Sequence, residues 1–391
     1  MILFEEAYRI VIDSAYTMGV EKVSINDSLG RVLAEDVISD MNMPPFDKSA
    51  MDGFACKKED IKNELKVIET IPAGTAPKNK VGKGQCSRIM TGAMLPEGAD
   101  CVLMVEYTQE VSENVIKFTQ ENTKSNICYQ AEDVKVNDIV LNKEIIIQSQ
   151  HIAVLSSVGC IEPLVAKQPR VGILSTGDEI VEPNTKPGIS QIRNSNAYQL
   201  IAQVSKMGAV PNYMGIIEDS EEATHNAIIK AINENDVVIL TGGVSMGDFD
   251  FVPKVLKRAG VDIKFQQVAV QPGKPTTFGI HKKALIFGLP GNPVSSFIQF
   301  ELLTKPLLYK LMGIDHKPVA IKLPMGQEYI RKRSERESWI PVNIADNGKI
   351  IPVEYHGSAH IYSLQNADGI ISIPIGKTIL KEGDIVDVRQ I

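Results

Sequence analysis

The sequence predicts a multidomain protein of the α/β plus β class, in which a central doubly wound α/β unit is flanked by β-rich regions. The chain has 391 residues, which exceeds the ~100–200 residues of a typical single domain. From residue 171 onwards, short apolar strands alternate with helices, and this alternation indicates a parallel sheet covered on both faces. Before and after that stretch, short β-type runs are broken by glycine and proline, which is typical of small β domains.

The N-terminal third is expected to begin with a helix and to continue as β structure. Residues 4–18 carry apolar side chains at helical spacing and Gly19 follows as a stop, which predicts an amphipathic helix. The chain then reads as extended to about residue 43. Residues 44–136 show weak helical periodicity, so we expect a small β-rich domain there. Residues 137–170 are mixed, with a helix expected around 148–158.

The α/β stretch can be divided element by element. Asp219 is expected to cap a helix because Glu221 and Glu222 follow in its first turn, and Pro293 is a favoured first helical residue. The predicted elements are strand 171–174, helix 196–207, strand 210–216, a helix after Asp219, strand 237–240, a helix ending near Gly260, strands near 263–270 and 284–288, and a helix from Pro293. Residues 317–391 return to alternating runs separated by Asn-Gly, Asp-Gly and Glu-Gly turns, which predicts a small sheet or barrel.

Composition narrows the function classes. The net charge is −7, whereas general binders of nucleic acid or of anionic membranes are usually basic, so neither role is supported. There is no apolar run of the ~20 residues that span a bilayer and no signal-peptide core, so a cytoplasmic protein is expected. The five cysteines include no Cys-x-x-Cys pair, which fits reduced thiols better than a disulfide framework or a zinc finger.

Three segments of the α/β stretch lead from the end of a strand towards a helix with glycine and polar residues. They are STGDE (175–179), TGGVSMGDFD (241–250) and GLPGNPVSS (288–296). Ligands of doubly wound sheets bind beyond the carboxyl ends of the strands, where glycine lets backbone amides approach an anion. Asp248 and Asp250 beside such a cradle would repel a phosphate unless Mg²⁺ lay between them. A plain tight turn with a capping Asp is the alternative for one such segment, but three on one sheet edge favour a binding site.

Other patterns carry less weight. The loop 43–55 combines proline, glycine, acidic and basic residues, which indicates an ordered functional loop, although Asp52-Gly53 alone could be a hairpin turn. His356 and His360 have H-x3-H spacing without the further ligands that a zinc site needs. No P-loop motif and no recognisable Ser-His-Asp nucleophile motif is present in the sequence.

Taken together, the motifs resemble those of the molybdopterin molybdenumtransferases, the MoeA family, which is related to half of gephyrin. The motifs that carry the resemblance occur in the family's order over nearly the whole chain: PPFDKSAMDGFA, IPAGTAP, RIMTGAMLPEGAD, AED (131–133), STGDE, TGGVSMGDFD, QPGKPTTFG and GLPGNPVSS. The resemblance implies an elongated homodimer with an active cleft between subunits. It also implies four domains: a discontinuous linker and dimerisation domain (1–43 and 137–170), a β-rich domain (44–136), an α/β molybdopterin-binding domain (171–316) and a C-terminal β-barrel (317–391).

The resemblance assigns roles to individual residues. Site-facing catalytic positions are Asp52, Thr91, Asp133, Glu179, Asp219 and Asp250, of which Asp52, Glu179 and Asp250 are implied as metal ligands. Cofactor-binding positions are Ser175, Thr176, Gly177, Gly242, Gly243, Ser245, Lys274, Pro290, Asn292 and Pro293. This chain departs from the family's pattern at four positions. Cys128 stands in place of an arginine, Ala131 in place of a glycine, and Gln267 and Gln271 where some members have lysine.

The implied function is Mg²⁺-dependent insertion of molybdate into adenylated molybdopterin, with release of AMP. Molybdopterin-AMP and molybdate would be the substrates, and a molybdopterin adenylyltransferase and molybdoenzyme apoproteins would be possible partners. Two alternatives stay open. The chain could be the adenylyltransferase itself, since those enzymes share the α/β domain, or a non-catalytic pterin-binding scaffold. Clustered, mutually repelling carboxylates favour catalysis over a scaffold.

Overall fold

A computed structural model of the chain describes residues 1–243, 252–354 and 357–391. The chain begins with helix α1 (Phe4–Asp13), strand β1 (Val20–Lys22) and strand β2 (Val37–Ile38). Helix α1 ends at Asp13, earlier than the predicted residue 18. The hydroxyl of the next residue, Ser14, donates a hydrogen bond to the carbonyl oxygen of Ile10 at 2.6 Å. Its buried residues Ala7 and Val11 pack into the same core as the α/β sheet.

The next region is β-rich, as predicted. Its strands are β3 (Lys48–Ser49), β4 (Gly53–Cys56), β5 (Glu64–Ile71), β6 (Gln85–Ile89), β7 (Cys101–Met104), β8 (Thr108–Ser112), β9 (Val115–Phe118) and β10 (Ile127–Cys128). Six of them form a sheet in the order β7-β4-β6-β5-β9-β8, and β3 pairs with β10. Strand β4 lies between β7 and β6, and a Cβ atom on Gly53 would lie 1.8 Å from the carbonyl oxygen of Leu103, so only glycine fits there.

Strand β11 (Ile139–Leu141), helix α2 (Ser149–Ser157) and strand β12 (Leu164–Ala166) follow. Antiparallel pairing joins β1 to β12 and β2 to β11. The chain before residue 43 is therefore connected to the chain after residue 137, while the β-rich sheet lies between them in sequence.

The α/β region carries the longest run of alternating elements. It contains β13 (Arg170–Thr176), β14 (Ile180–Val181), β15 (Ile192–Arg193), α3 (Ser195–Lys206), β16 (Val210–Ile217), α4 (Glu221–Glu234), β17 (Val237–Thr241), α5 (Val252–Arg258), β18 (Asp262–Phe265), β19 (Val270–Gln271), β20 (Thr277–Ile280), β21 (Leu285–Leu289), α6 (Pro293–Gln299), a π-helical turn (Phe300–Thr304) and α7 (Lys305–Leu311). Its six-stranded sheet has the order β16-β13-β17-β21-β20-β18.

Both faces of this sheet are covered, which confirms the predicted doubly wound class. Successive residues of one strand belong to opposite cores: Ile239 packs with α3 and α6, whereas Leu240 packs with α4 and α5. Strands β16, β13, β17 and β21 are parallel, as expected.

Three details of the α/β prediction were wrong. Strands β20 and β18 form an antiparallel edge, and β20 was not predicted because its Pro-Thr-Thr approach resembles a loop. The predicted strand near 263–270 ends at Phe265, and β19 pairs instead with a strand of the C-terminal region. Helix α4 is capped by Ser220, whose side chain accepts a hydrogen bond from the backbone N–H of Ala223 at 3.2 Å, and not by Asp219.

The C-terminal region is a barrel, as predicted. Its strands are β22 (Ala320–Pro324), β23 (Tyr329–Ile330), β24 (Glu337–Ile344), β25 (Ile350–Pro352), β26 (Gly369–Ile373), β27 (Ile379–Leu380) and β28 (Ile385–Gln390). Pairing runs from β25 through β24, β26 and β28 to β22, and Met325 after β22 bridges back to Ile350 of β25, which closes the ring. Within the described residues, no helix has the length and apolar character needed to cross a bilayer.

Candidate functional site

The three glycine-rich strand ends meet at one cavity of about 450 Å³, which we call the strand-end cavity. Thr176 ends β13, Gly242 and Gly243 follow β17, and Pro290 follows β21; these three strands are neighbours in the sheet. The sequence-predicted residues that line the cavity are Thr176, Gly177, Glu179, Asp219, Gly242, Gly243, Pro290, Asn292 and Pro293. Asp248, Asp250 and Ser245 lie outside the described residues.

The turn after β17 requires glycine. Gly242 and Gly243 have φ angles of +96° and +62°, and a Cβ atom on Gly242 would lie 2.6 Å from the carbonyl oxygen of Thr176. The backbone of the turn therefore packs directly against the end of β13. A ligand in the cavity can approach backbone here without meeting a side chain.

Two buried polar atoms in the cavity wall have no hydrogen-bond partner among the described residues. They are the Thr176 hydroxyl and the Asn196 Oδ1 atom, and both residues are more than nine-tenths buried. The Asn196 Nδ2 group donates to the Thr241 hydroxyl at 2.8 Å and to the Gly291 carbonyl at 2.7 Å, which fixes the side chain. A buried polar atom without a partner is destabilising, so a bound polar ligand is the natural complement.

Sequence reasoning missed a wall of the cavity, namely residues 193–196 at the start of α3. Asn194 caps this 12-residue helix by accepting a hydrogen bond from the N–H of Ala197 at 3.2 Å. The helix N-terminus and the Arg193 side chain add positive charge beside the glycine turn. The Arg-Asn-Ser-Asn run before the predicted helix was the available signal, because Asn and Ser are strong N-cap residues.

Ser175 does not line the cavity but supports it. Its side chain is fully buried, and its hydroxyl donates to Asn194 Oδ1 at 3.1 Å. The Asn194 Nδ2 group donates in turn to the Tyr213 hydroxyl at 3.0 Å, and Tyr213 donates to Glu182 at 2.5 Å. Burial and the hydrogen bond to Glu182 raise the pKa of Tyr213, so the phenol stays protonated and continues to donate to Glu182.

Two carboxylates, Glu179 and Asp219, line the strand-end cavity. The Glu179 carboxylate folds back over Gly177, where a Cβ atom would meet it at 2.4 Å. The backbone N–H of Asp219 donates to Asp178 at 3.0 Å, which ties the two loops together. Among the described residues, no group of three or more His, Cys, Asp or Glu side chains is placed to hold a metal ion. Asp52, which the resemblance implies as a metal ligand together with Glu179 and Asp250, directly precedes β4 of the β-rich sheet.

A second cavity of about 330 Å³ adjoins the first and shares Pro275, Pro290 and Asn292 with it. We call it the cation-lined cavity, because Lys274 and Arg336 both line it and none of its described lining residues is acidic. Lys274 was predicted from the sequence. Arg336, Ser295 and Ser358 were not, because two of them lie in the C-terminal barrel, far away in sequence.

The walls of the cation-lined cavity are firmly anchored. Gly273 has a φ angle of +112°, and a Cβ atom there would lie 2.4 Å from the Nε2 atom of the buried Gln299. The Asn292 Nδ2 group donates to the Ser358 hydroxyl at 2.8 Å, and Arg336 donates to the Val270 carbonyl at 3.2 Å. These bonds join the barrel to the α/β region across the cavity.

Asp52 directly precedes β4 and Thr91 follows the neighbouring strand β6, so the two residues meet at one end of the β-rich sheet. One Asp52 oxygen accepts hydrogen bonds from the Thr91 N–H at 2.6 Å and the Thr91 hydroxyl at 2.7 Å. These bonds favour the ionised carboxylate and lower the pKa of Asp52. The Asp52 carboxylate is exposed at the surface.

Asp133 lines a third cavity of about 680 Å³, the loop cavity, together with Lys48, Cys128 and Glu132. Ala131 has a φ angle of +62°, a region that favours glycine. Cys128 brings a thiol to the loop cavity, and Gln271 brings an amide to the cation-lined cavity. The backbone carbonyl of Gln267 accepts a hydrogen bond from Ile2 at 3.0 Å.

Comparison with known proteins covers the whole chain. Family models match as "MoeA N-terminal region (domain I and II)" over residues 2–159, "Probable molybdopterin binding domain" over 172–310 and "MoeA C-terminal region (domain IV)" over 326–391. The molybdopterin molybdenumtransferase of Staphylococcus epidermidis is 34% identical over 99% of this chain and 95% of that protein. That of Bacillus subtilis is also 34% identical, over 99% of this chain and 93% of the relative.

A solved structure has the same architecture. The crystal structure of the molybdopterin biosynthesis moeA protein from Pyrococcus horikoshii OT3 superposes with a TM-score of 0.85 at 29% identity, and the match covers 100% of both chains. Sequence and fold thus agree over the full length, and the resemblance inferred from the motifs is confirmed. The chain therefore belongs to the MoeA family of molybdopterin molybdenumtransferases.

Proposed function

We propose that this chain inserts molybdate into adenylated molybdopterin in the cytoplasm and releases AMP. The observation that carries the proposal is the pair of adjoining cavities with different chemistry. The strand-end cavity has a glycine turn, a helix N-terminus and unpartnered buried polar atoms, which suit a phosphate-bearing ligand. The cation-lined cavity has two cations and two hydroxyls, which suit a small oxyanion.

Within the strand-end cavity, the protein's task is to bind and orient the phosphates of molybdopterin-AMP. The N–H groups of Gly243 and of the first turn of α3 would face the phosphate oxygens, with Arg193 as a counter-charge. Thr176 and Asn196 would then find the partners that they lack within the described chain. Such positioning accelerates a reaction by removing the entropy cost of bringing the groups together.

Mg²⁺ fits the donor set of the same cavity. Glu179 and Asp219 would hold it, because one or two carboxylates plus phosphate oxygens is its usual environment in proteins. Asp250 is a further proposed ligand. Bound there, the ion would screen the phosphate charge and polarise a phosphoryl oxygen.

Molybdate is assigned to the cation-lined cavity. Lys274 and Arg336 would neutralise the dianion, and the hydroxyls of Ser295 and Ser358 would donate to its oxygens. The shared residues Pro290 and Asn292 place this oxyanion beside the strand-end cavity. The position of the two cavities thus accounts for a reaction in which an oxyanion meets a phosphorylated ligand.

Asp52, Thr91 and Asp133 are proposed to act across a homodimer. They lie in or beside the β-rich sheet and line neither the strand-end cavity nor the cation-lined cavity among the described residues. In the proposed dimer these residues of one subunit complete the cleft of the other. The division into four domains, with boundaries near residues 43, 136, 170 and 316, belongs to the same proposal.

The decisive experiment measures AMP release from purified molybdopterin-AMP with Mg²⁺, with and without molybdate. Molybdate-dependent release, together with a product that activates an apo-molybdoenzyme, is the expected result. Formation of AMP-pterin from ATP and free molybdopterin would instead indicate an adenylyltransferase. Tight pterin binding without turnover in either assay would indicate a scaffold. Asp52→Asn should abolish release, whereas Asp346→Asn, in an exposed turn of the barrel, should not change it.

A further inference from the structure

A small cavity lies where three parts of the chain meet, and we call it the junction cavity. Phe4 and Tyr8 come from α1, Pro306 from α7, and Arg389 from β28 of the barrel. Its volume is about 200 Å³. It shares no lining residue with the strand-end cavity or the cation-lined cavity, so the proposed function does not use it.

Arg389 is the distinctive feature of the junction cavity. Its guanidinium group stacks over the ring of Trp339 at 4.6 Å from the ring centre. Over residues 1–243, 252–354 and 357–391, the guanidinium makes no hydrogen bond and no ion pair. A half-buried guanidinium with five N–H donors and no acceptor is a site for an anion, above all a carboxylate that can accept two bonds.

Acidic residues lie near Arg389, but none of them bonds to its guanidinium within the described residues. Glu337 is the carboxylate that interacts most strongly with the charge of Arg389, and burial raises the pKa of Glu337, which disfavours its charged form. Glu301 accepts hydrogen bonds from Gln203 at 2.9 Å and from Lys305 at 2.8 Å, so its oxygens are occupied and its charge is balanced. Glu5 also lines the cavity, but it is exposed, so solvent and salt screen its charge. Burial lowers the pKa of His316 to about 4, so the imidazole is neutral at pH 7 and adds no charge.

The remaining wall is apolar. The rings of Phe4 and Tyr8 lie 6.1 Å apart in a tilted arrangement, and two prolines, Pro306 and Pro318, complete the lining. The volume is below the ~300–1,000 Å³ of typical small-molecule pockets, which limits the occupant to a single ring or a short chain. The required ligand thus has one flat anionic group and a compact apolar body.

We propose that the junction cavity binds a small carboxylate with an aromatic or aliphatic body, held by Arg389 and packed against Phe4 and Tyr8. Such a ligand would connect α1, the α/β region and the barrel. The barrel also supplies Arg336 to the cation-lined cavity, one residue before the strand that carries Trp339. A ligand bound in the junction cavity would therefore stabilise the position of the barrel, which lines the proposed molybdate site.

The chain contains a built-in reporter for this site. Trp339 is the single tryptophan of the sequence, and it lies directly under the Arg389 guanidinium. A carboxylate drawn to Arg389 changes the charge next to the indole, so ligand binding should alter tryptophan fluorescence. Isothermal titration calorimetry on the full-length protein provides an independent affinity.

The test uses three probes of similar size: benzoate, benzamide and benzylammonium. We expect saturable binding of benzoate and at least tenfold weaker binding of the neutral and cationic probes, because only the carboxylate can accept charge-assisted hydrogen bonds from Arg389. Arg389→Gln should weaken benzoate at least tenfold. Arg333→Gln, an exposed arginine of the same barrel, should leave the affinity unchanged.

Three results would overturn the proposal: no saturable benzoate binding, benzylammonium binding as tightly as benzoate, or full benzoate affinity in Arg389→Gln. Circular dichroism shows whether that variant folds. If it does not, Arg389→Lys keeps the charge but loses the paired donors, and should weaken benzoate several-fold without affecting benzamide. No readout depends on turnover, so the outcome is independent of the proposed function.

Discussion

At the scale of single residues, Ala131 shows how an alanine with a positive φ angle strains the backbone. Its φ angle of +62° costs an L-residue ~1–2 kcal/mol relative to right-handed conformations. Glycine removes that strain but loses ~0.4–1 kcal/mol through its more flexible unfolded chain. We therefore expect Ala131→Gly to raise the free energy of unfolding by up to about 1 kcal/mol, measured by urea titration.

Asn137 offers the matched control for that substitution. It has a φ angle of +72°, but asparagine tolerates this region, so Asn137→Gly should bring no gain. A loss of stability in Ala131→Gly, or an equal gain in both variants, would contradict the role assigned to Ala131.

His316 predicts a pH dependence of stability. The groups that face it are the stacked ring of Tyr309 on α7, the cations of Lys305 and Arg389, and the carboxylate of Glu301. Burial is the main cause that lowers the folded-state pKa to about 4, against ~6.5 in the unfolded chain. Above pH 6.5 both states are neutral and nothing is contributed. Between pH 6.5 and 4 only the unfolded state takes up the proton, so stability falls as the pH falls.

The measurement compares wild type with His316→Gln by urea unfolding at pH 7, 6 and 5. The variant cannot take up this proton, so the stability of wild type relative to the variant should decrease steadily towards pH 5. A stability difference that is constant over this range would show that folding does not lower the pKa of His316.

At the scale of elements, the residue that caps α4 and the residue before it have different roles, so stability and function can be tested separately there. Ser220 accepts a hydrogen bond from the N–H of Ala223, while the neighbouring Asp219 lines the strand-end cavity. Ser220→Ala should lower the free energy of unfolding by about 1 kcal/mol, the usual cost of losing an N-cap. Ser220→Asp keeps an acceptor and should restore it. Unfolding in urea measures both, and an unchanged Ser220→Ala would refute the cap.

The elements of the α/β region show which features can be predicted from the sequence and which cannot. Strands β13, β17 and β21 were predicted because they are buried on both faces and therefore consist of unbroken apolar runs. Strand β20 was missed because it has only four residues and follows a proline-containing loop without a periodic signal. Capping failed in the same way: Asp219 and Ser220 are both good N-caps, and only backbone geometry selects one of them.

At the scale of the whole molecule, the sequence predicted which loops face the strand-end cavity but not the full set of side chains around the site. Gly242 and Pro290 could be placed because parallel strands end at a common edge. Arg336 and Ser358 could not, because they reach the cation-lined cavity from a barrel whose docking has no local sequence signal. In the proposed dimer, the relation of Asp52 to either cavity would depend on a partner subunit, which lies beyond any single-chain pattern.

The barrel supplies a cation to the cation-lined cavity and none to the strand-end cavity, so kinetics can test which ligand each cavity binds. Arg336 lines only the cation-lined cavity and Arg193 only the strand-end cavity. If molybdate binds in the former, Arg336→Gln should raise the half-saturating molybdate concentration about tenfold, since a charge-assisted bond contributes ~1.5–3 kcal/mol. Its half-saturation by molybdopterin-AMP should not change. Arg193→Gln should show the reverse pattern, and Lys332→Gln, on the exposed surface of the barrel, neither.

Gln271 allows the same assignment to be tested by a gain. It lines the cation-lined cavity, so Gln271→Lys adds a third cation beside Lys274 and Arg336. This variant should lower the half-saturating molybdate concentration, and the gain should shrink as salt is added because added ions screen the new charge. AMP release at graded molybdate and salt concentrations measures both effects. If Arg336→Gln and Gln271→Lys changed only the response to molybdopterin-AMP, the cation-lined cavity would belong to the pterin ligand and molybdate would have to bind elsewhere.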